Sequence, residues 1–302
     1  MAAQFLFSLM KTIALATSSK YSQLTEDDRL LLAPLAKLGI HAEPAIWDDP
    51  HTEWIRYAAV VLRSCWDYHL KPDLFLRWIL ALEAEGVLVF NAAPLVRWNA
   101  DKAYLRDLEP KGIHIVPTFW ADHHPHTSRE ETRIRLKDKL RELGWQKAVV
   151  KPRISATAHR TLLVSAIDAE DAQSHFDDLR RGPGAMVQKF MEGIASEGEW
   201  SLIFFAGVFS HAVLKRPRSG DFRVQNDFGG TSQVEDPPPN VLAAATLAVQ
   251  AVDATIYARV DGVVEGGDFH LMELELIEPA LFLADHPEAA GRFASAIASA
   301  LG

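Results

Sequence analysis

Near the C-terminal end, the stretch Leu271-Met272-Glu273-Leu274-Glu275-Leu276-Ile277-Glu278-Pro279 alternates apolar and acidic residues. Side chains alternate faces along a strand, so this pattern sets Met272, Leu274 and Leu276 on one face and Glu273 and Glu275 on the other. A polar face washed by solvent is the plain alternative. Upstream, Arg259-Val260-Asp261-Gly262-Val263 reads as a partner strand that brings Asp261 beside the two glutamates. Three convergent carboxylates repel one another unless a cation lies between them, and Mg²⁺ is the hard ion that takes carboxylates together with phosphates. A nucleotide-metal site is the sharper reading.

Cations for such a site stand singly at the ends of other segments: Lys102 after Trp98-Asn99-Ala100-Asp101, Lys151 after Val149-Val150, and Lys215 after Val213-Leu214. Alone, each is an ordinary surface lysine with its stem on apolar neighbours. Together they could surround a triphosphate. The chain has no G-x-x-x-x-G-K-[ST] loop and no G-x-G-x-x-G after a strand, so the phosphate cradle must be of another kind. His123-His124-Pro125-His126 lacks metal-ligand spacing, and Cys65 with His69 reads as a packed small hydrophobe rather than a thiol nucleophile.

The 302 residues carry Asp+Glu 40 against Lys+Arg 31, a net charge of -9, with 48% hydrophobic. That balance is globular rather than disordered, long enough for roughly two domains, and lacks the basic stripe that nucleic acid requires. One cysteine cannot close an intrachain disulfide, which fits a cytoplasmic setting. The apolar stretch 5–10 has no Lys or Arg before it, so it lacks the n-region of a signal peptide, and Met10 is an alternative start. The longest later apolar run, 241–252, is too short for a bilayer, so no membrane partner is expected. A homo-oligomer is left open.

The elements that must position these residues begin with apolar runs at 13–16, 43–47, 58–62 and 87–90, separated by helical segments. Thr25 opens one helix, with Asp27 and Asp28 in its first turn, and Gly39 ends it. Pro72 begins another, with Leu74, Phe75, Trp78 and Leu82 on one face, and Gly86 stops it. Strands alternating with helices imply a parallel sheet, so residues 1–95 read as an α/β layer domain. Further along, a helix is expected over 130–143, a strand over 148–151 stopped by Pro152, a strand over 185–190, and a hairpin over 200–214 turning at Gly207. A long loop over 216–240 precedes an Ala-rich helix at 241–257, strands around 260–264 and 270–277, and a helix from Ala289.

Taken together, these motifs resemble the ATP-grasp carboxylate ligases, and the last two thirds are similar to the glutathione synthetase branch. The resemblance implies the ATP-grasp fold, α/β and α+β: an N-terminal parallel pre-ATP-grasp domain (1–95), a central subdomain (96–190) and a C-terminal subdomain with the metal site (191–302), the last two clasping ATP. It places Lys102 and Lys151 on phosphates, and Gln188 and Phe190 of Met186-Val187-Gln188-Lys189-Phe190 at the adenine hinge. Glu199 falls where a carboxylate holds ribose, while Lys215, Arg223 and Gln225 face phosphate and acceptor. Asp261, Glu273 and Glu275 match the magnesium ligands, with Glu275 in place of the asparagine common in glutathione synthetases. Arg63-Ser64-Cys65-Trp66-Asp67-Tyr68-His69 resembles the subgroup that contains cycloserine-forming cyclo-ligases, and follows the third strand where open parallel sheets bind ligands. Arg63 and Asp67 are therefore expected to meet substrate.

The implied activity is ATP- and Mg²⁺-dependent activation of a small amino-acid-like carboxylate for attack by an amine-type nucleophile, intramolecular or not. A nucleotide-binding homologue without turnover, or a kinase that stops at the acyl phosphate, are the alternatives. The first draws on the loop Ile154-Ser155-Ala156-Thr157-Ala158-His159-Arg160-Thr161, which has no glycine where close amide approach to phosphate would use positive φ.

Overall fold

The computed structural model describes residues 11–122, 134–218, 224 and 229–302. Three sheets carry the fold. The first is parallel, with order β2-β1-β3-β4, from β1 (Lys11–Thr17), β2 (Ile40–Ile46), β3 (Ala59–Leu62) and β4 (Leu88–Phe90). Thr25 caps the first helical turn, Glu26–Arg29, by accepting from the Asp28 amide, and the chain leaves the next helix, Leu32–Lys37, through Gly39 at φ 76. The helix Pro72–Ala84 buries Phe75, Ile79 and Leu82. Leu74, expected on that inner face, is 40% exposed, because the buried stripe runs through Ile79 instead.

The second sheet is antiparallel, order β5-β8-β6-β7: β5 (Thr118–Ala121), β6 (Lys147–Pro152), β7 (Leu162–Ser165) and β8 (Ala185–Lys189). The helices Leu136–Glu142 and Gln173–Arg181 cover one face, packing Leu140, Phe176 and Leu179 on Ala148, Val150 and Val187. Lys151 and Gln188 therefore lie on the uncovered face, where Lys151 pairs with Met186 and Val149 with Gln188. Pro152 does not stop β6 but is its last residue, paired with Ala185.

The third sheet, order β11-β10-β9-β12-β13, comprises β9 (Glu199–Phe205), β10 (Val208–Arg216), β11 (Thr231–Val234), β12 (Tyr257–Glu265) and β13 (Asp268–Glu275). Ala206 (φ 47) and Gly207 (φ 76) make the turn from β9 to β10. β11 forms inside the stretch expected to be loop throughout. The Ala-rich helix Pro239–Gln250 ends sooner than expected, since Tyr257 opens β12 and its backbone carbonyl is held by Asn91. One face of this sheet packs Trp200, Leu202, Leu214, Val260, Leu274 and Leu276 under Val241, Ala245 and Val249. The other face is left for polar residues. The final helix, Ala289–Leu301, lies against the first sheet and β9. Among the described residues no helix is long and apolar enough to cross a membrane.

Candidate functional site

Alternation along four adjacent strands puts Glu199, Ser201, Lys215, Arg259, Asp261, Glu273 and Glu275 on the polar face of the third sheet. Cross-strand register joins them: Lys215 opposite Glu199, Asp261 between Ser201 and Glu273, and Arg259 opposite Glu275. Gly198 (φ 108) leads into this face, and a Cβ there would come within 2.6 Å of the Lys215 carbonyl, so only glycine allows β9 and β10 to approach so closely.

A bulge sits at the centre. Asp261 pairs with Glu273 but Gly262 pairs with Leu271, which makes Met272 the extra residue of β13. The expected alternation of Met272 with Leu274 and Leu276 is therefore broken. Leu271 takes the core position beside Leu274, and Met272 packs instead with Val116, Met191, Ile194, Val224 and Val263.

Every expected metal carboxylate is paired with a cation. Lys102 Nζ lies 2.9 Å from Glu273 and also donates to the Ser155 carbonyl. Lys215 Nζ pairs with Glu199 and stands 3.6 Å from Asp261. Arg259 donates to Asp261 at 2.9 Å and bridges to Glu275, and the Ser201 hydroxyl donates to Asp261. Burial alone would raise the Asp261 carboxyl, but Arg259 and Lys215 outweigh it and draw it down to about 2. Burial likewise opposes ionisation of Glu273, yet Lys102 and Lys151 hold its carboxyl below the ordinary range. For Glu275 and Glu199 burial wins, and both carboxyls are raised despite Arg259 and Lys215. Among the described residues no three such groups converge on a single point as metal ligands would. The donors are of the kind Mg²⁺ takes, and their cations hold them apart.

Lys151, by contrast, makes no ion pair among the described residues. Burial lowers its ammonium pKa, partly offset by Glu273. Gln188 is buried with its amide 3.3 Å from the Thr118 hydroxyl, and Phe190 is buried beneath the Lys147 ammonium. The loop after β6 reaches left-handed backbone without glycine, at Thr157 (φ 50), Ala158 (φ 55) and Arg160 (φ 55). From this loop His159 meets His69 of the N-terminal loop, ring centroids 5.1 Å apart.

The N-terminal loop differs from expectation. Arg63 is 2% exposed, with Nε 2.8 Å from Asp28 and Nη2 2.8 Å from the Pro279 carbonyl, so its fork is spent on the fold. The Asp67 carboxylate accepts from the Trp47 indole at 2.8 Å. Cys65 is fully buried, and burial pushes its thiol well above the ordinary value, as expected of a packed hydrophobe.

Arg63 belongs to a wider pattern. Six consecutive carbonyls after β13 each meet a donor from another element: Leu276 from Asn91 (2.8 Å), Ile277 from the Tyr257 hydroxyl (2.7 Å), Glu278 from Trp66 (2.9 Å), Pro279 from Arg63 (2.8 Å), Ala280 from Arg259 (2.9 Å) and Leu281 from His211 (3.0 Å). This strap ties the carboxylate strand to the first sheet.

Comparison with known proteins bears directly on this geometry. The family model for the D-cycloserine synthetase DcsG N-terminal domain matches residues 13–91. Over 97% of its length the chain is 30% identical to the cycloserine biosynthesis protein DcsG of Streptomyces lavendulae, covering 99% of that protein. The chain belongs to the DcsG family. It superposes on the D-cycloserine synthetase DcsG crystal structure with a TM-score of 0.85 at 30% identity, over 96% of this chain and 100% of that one. An ATP-grasp RimK domain protein of Sphaerobacter thermophilus (TM-score 0.68, 18% identity, 94% and 98% covered) shares the fold. So does D-alanine–D-alanine ligase of Bacillus anthracis (TM-score 0.69, 17% identity, 96% and 97% covered). As a DcsG-family member the chain is an ATP-dependent ligase with the ATP-grasp fold, and solved structures of the same fold hold ATP, or Mg and ADP.

In this DcsG relative the structure brings Lys102, Lys215, Glu199, Asp261, Glu273 and Glu275 into one network, while Arg63 is engaged by Asp28 and the Pro279 carbonyl and Asp67 by Trp47. Arg223, Gln225 and the histidines at 123, 124 and 126 lie outside the described residues. Sequence reasoning missed Arg259, Ser201 and Asn91. Arg259 carried a signal, since it stands two residues before Asp261 and so shares its face.

Proposed function

We propose that this DcsG-family chain activates a small amino-acid-like carboxylate as its acyl phosphate and closes a ring by attack of an amine-type nitrogen of the same molecule. The observation that carries the reading is the polar sheet face, where Asp261, Glu273 and Glu275 are paired with Lys102, Lys215 and Arg259, and Lys151 has no ion pair among the described residues. Phosphoryl transfer is governed by positioning and charge neutralisation, so the face needs cations and hard oxygens rather than a nucleophilic side chain. Lys151, without an ion pair among the described residues, is the first cation available to a phosphate. Lys102 and Lys215 can exchange Glu273 and Glu199 for phosphate oxygens, which frees Glu273 for metal and Glu199 for ribose. Asp261, Glu273 and Glu275 would then hold Mg²⁺, which offsets phosphate charge during transfer. Gln188 and Phe190 offer the edge for adenine, and Arg223 and Gln225 remain candidates for the acceptor side. When the nitrogen attacks the acyl carbon, the C–N bond forms, the bond to phosphate breaks, and the nitrogen gives up a proton.

The test is ADP release against a panel of amino acids and other small carboxylates, followed by product mass. A product lighter than its substrate by one water supports ring closure, and a joined product of two molecules argues for intermolecular ligation. Hydroxylamine trapping without amide formation would reduce the activity to that of a kinase. Glu273→Gln keeps shape and removes charge, so turnover should fall roughly a hundredfold or more while the thermal midpoint holds. Near-normal turnover of that variant at limiting Mg²⁺ would remove Glu273 from the site. Tight ATP binding with no acceptor-dependent ADP would sink the ligase reading.

A further inference from the structure

The strand that carries Glu273 and Glu275, β13, closes the third sheet at one edge. Those two residues pair with Asp261 and Arg259 of β12, so in an antiparallel ladder the backbone groups of Leu274 and Leu276 point outward from the sheet. Buried amides and carbonyls on an open edge must find partners from other elements.

Here the partners are side chains. The Leu274 amide donates to the Tyr104 hydroxyl at 2.8 Å, Asn99 Nδ2 donates to the Leu274 carbonyl at 2.8 Å, and the Leu276 amide donates to Asn99 Oδ1 at 3.0 Å. Asn99 thus offers the strand one donor and one acceptor, as a neighbouring peptide would. Before the bulge the same service comes from backbone: the Leu271 amide donates to the His114 carbonyl at 2.8 Å, and the Leu271 carbonyl accepts from the Val116 amide at 2.9 Å. The outward positions are therefore 271, 274 and 276, a step of three and then of two. A regular strand steps by two throughout, so this outer set of partners fits only the register in which Met272 is the extra residue.

Register decides which residues face the site. A slip of β13 by one position would turn Glu273 and Glu275 toward the apolar core and bring Leu274 and Leu276 to the polar face. Asn99 and Tyr104 are both buried, and Lys102 stands between them in the chain with Nζ 2.9 Å from Glu273. One short segment, where helix Ala93–Asn99 gives way to helix Tyr104–Leu108, therefore supplies both the outer partners of the carboxylate strand and the lysine that meets it.

We propose that Asn99 and Tyr104 are positioning residues for the ligase reaction: they hold β13 in its bulged register, keeping Glu273 and Glu275 on the polar face at a fixed offset from Lys102. This rests on the metal assignment proposed above and adds two residues that act through the strand backbone.

The test measures the Kd of AMPPNP with and without Mn²⁺ in wild type, Tyr104→Phe, Asn99→Leu and a control, Trp66→Phe, which loses a bond to the Glu278 carbonyl beyond the end of β13. Mn²⁺ should tighten AMPPNP binding to wild type. Tyr104→Phe should shrink that gain about tenfold and Asn99→Leu at least as much, while the metal-free Kd stays within about threefold of wild type. Turnover should fall with the metal gain, and the KM for the carboxylate should hold. Trp66→Phe should lower the thermal midpoint and leave the metal gain intact. If Asn99→Leu does not fold, Tyr104→Phe decides, since it keeps the ring and removes only the hydroxyl. A Tyr104→Phe protein that melts earlier yet keeps the full metal gain, or an equal loss of gain in Trp66→Phe, would reduce the pair to a folding role and overturn the proposal. No gain from Mn²⁺ in wild type would overturn the metal assignment itself.

Discussion

Arg63 sits at the carboxyl end of a parallel strand, where a cation is expected to grip substrate, yet its guanidinium is enclosed by Asp28, the Pro279 carbonyl and the rings of Tyr257 and Phe293. Removing one member of a buried ion pair leaves the other uncompensated, so Arg63→Ala should cost about 3–5 kcal/mol of stability, read from the denaturant midpoint. A full-strength midpoint combined with a raised KM for the acceptor would return Arg63 to the substrate. The contrast between Arg63 and the carboxylates explains what was legible at this scale. Asp261, Glu273 and Lys215 could be read because strand alternation and motif order both point to them. The partnership of Arg63 with Asp28, or of Asn91 with the Tyr257 and Leu276 carbonyls, spans chain separations that no local pattern records.

At the level of elements, the four strands of the first sheet and the hairpin at Ala206-Gly207 follow directly from apolar runs and turn residues. The bulge at Met272 does not, because a single extra residue leaves the alternation of residue types unchanged while flipping one side chain. The loop after β6 is the other departure. Absence of glycine suggested that it would avoid positive φ, but Thr157, Ala158 and Arg160 adopt left-handed backbone at a cost of about 1–2 kcal/mol per residue. Ala158→Gly should therefore stabilise the protein by about 0.5–1 kcal/mol after the greater unfolded-state entropy of glycine is counted. Ala156, which is not left-handed, serves as control, and Ala156→Gly should destabilise. Equal losses at both positions in thermal melts would show that the left-handed turn is not adopted in solution. With the turn present, missing glycine no longer argues for a binder without turnover.

For the molecule as a whole, apolar packing runs continuously from the first sheet to the third. Ile13, Leu15 and Val61 of the first sheet share one apolar cluster with Ile203 and Phe205 of β9, Tyr257 of β12 and Phe293 of the last helix. Phe293 stacks on Phe205 with centroids 4.9 Å apart and meets Tyr257 edge-on. Truncating a fully buried aromatic in such a cluster costs about 3–5 kcal/mol, so Phe293→Ala should lower stability by that amount. Because the cluster belongs to both layers, calorimetry should show one shifted transition rather than early melting of one domain. Two resolved transitions would mean that the N-terminal layer folds independently. The strap from Leu276 to Leu281 joins these same layers through carbonyl oxygens, which every amino acid possesses. Its anchorage is thus indifferent to which side chains it carries, apart from the proline at 279. Descendants of this fold could exchange side chains along the strap without loosening the joint, so the surroundings of the carboxylate strand are open to single-step change.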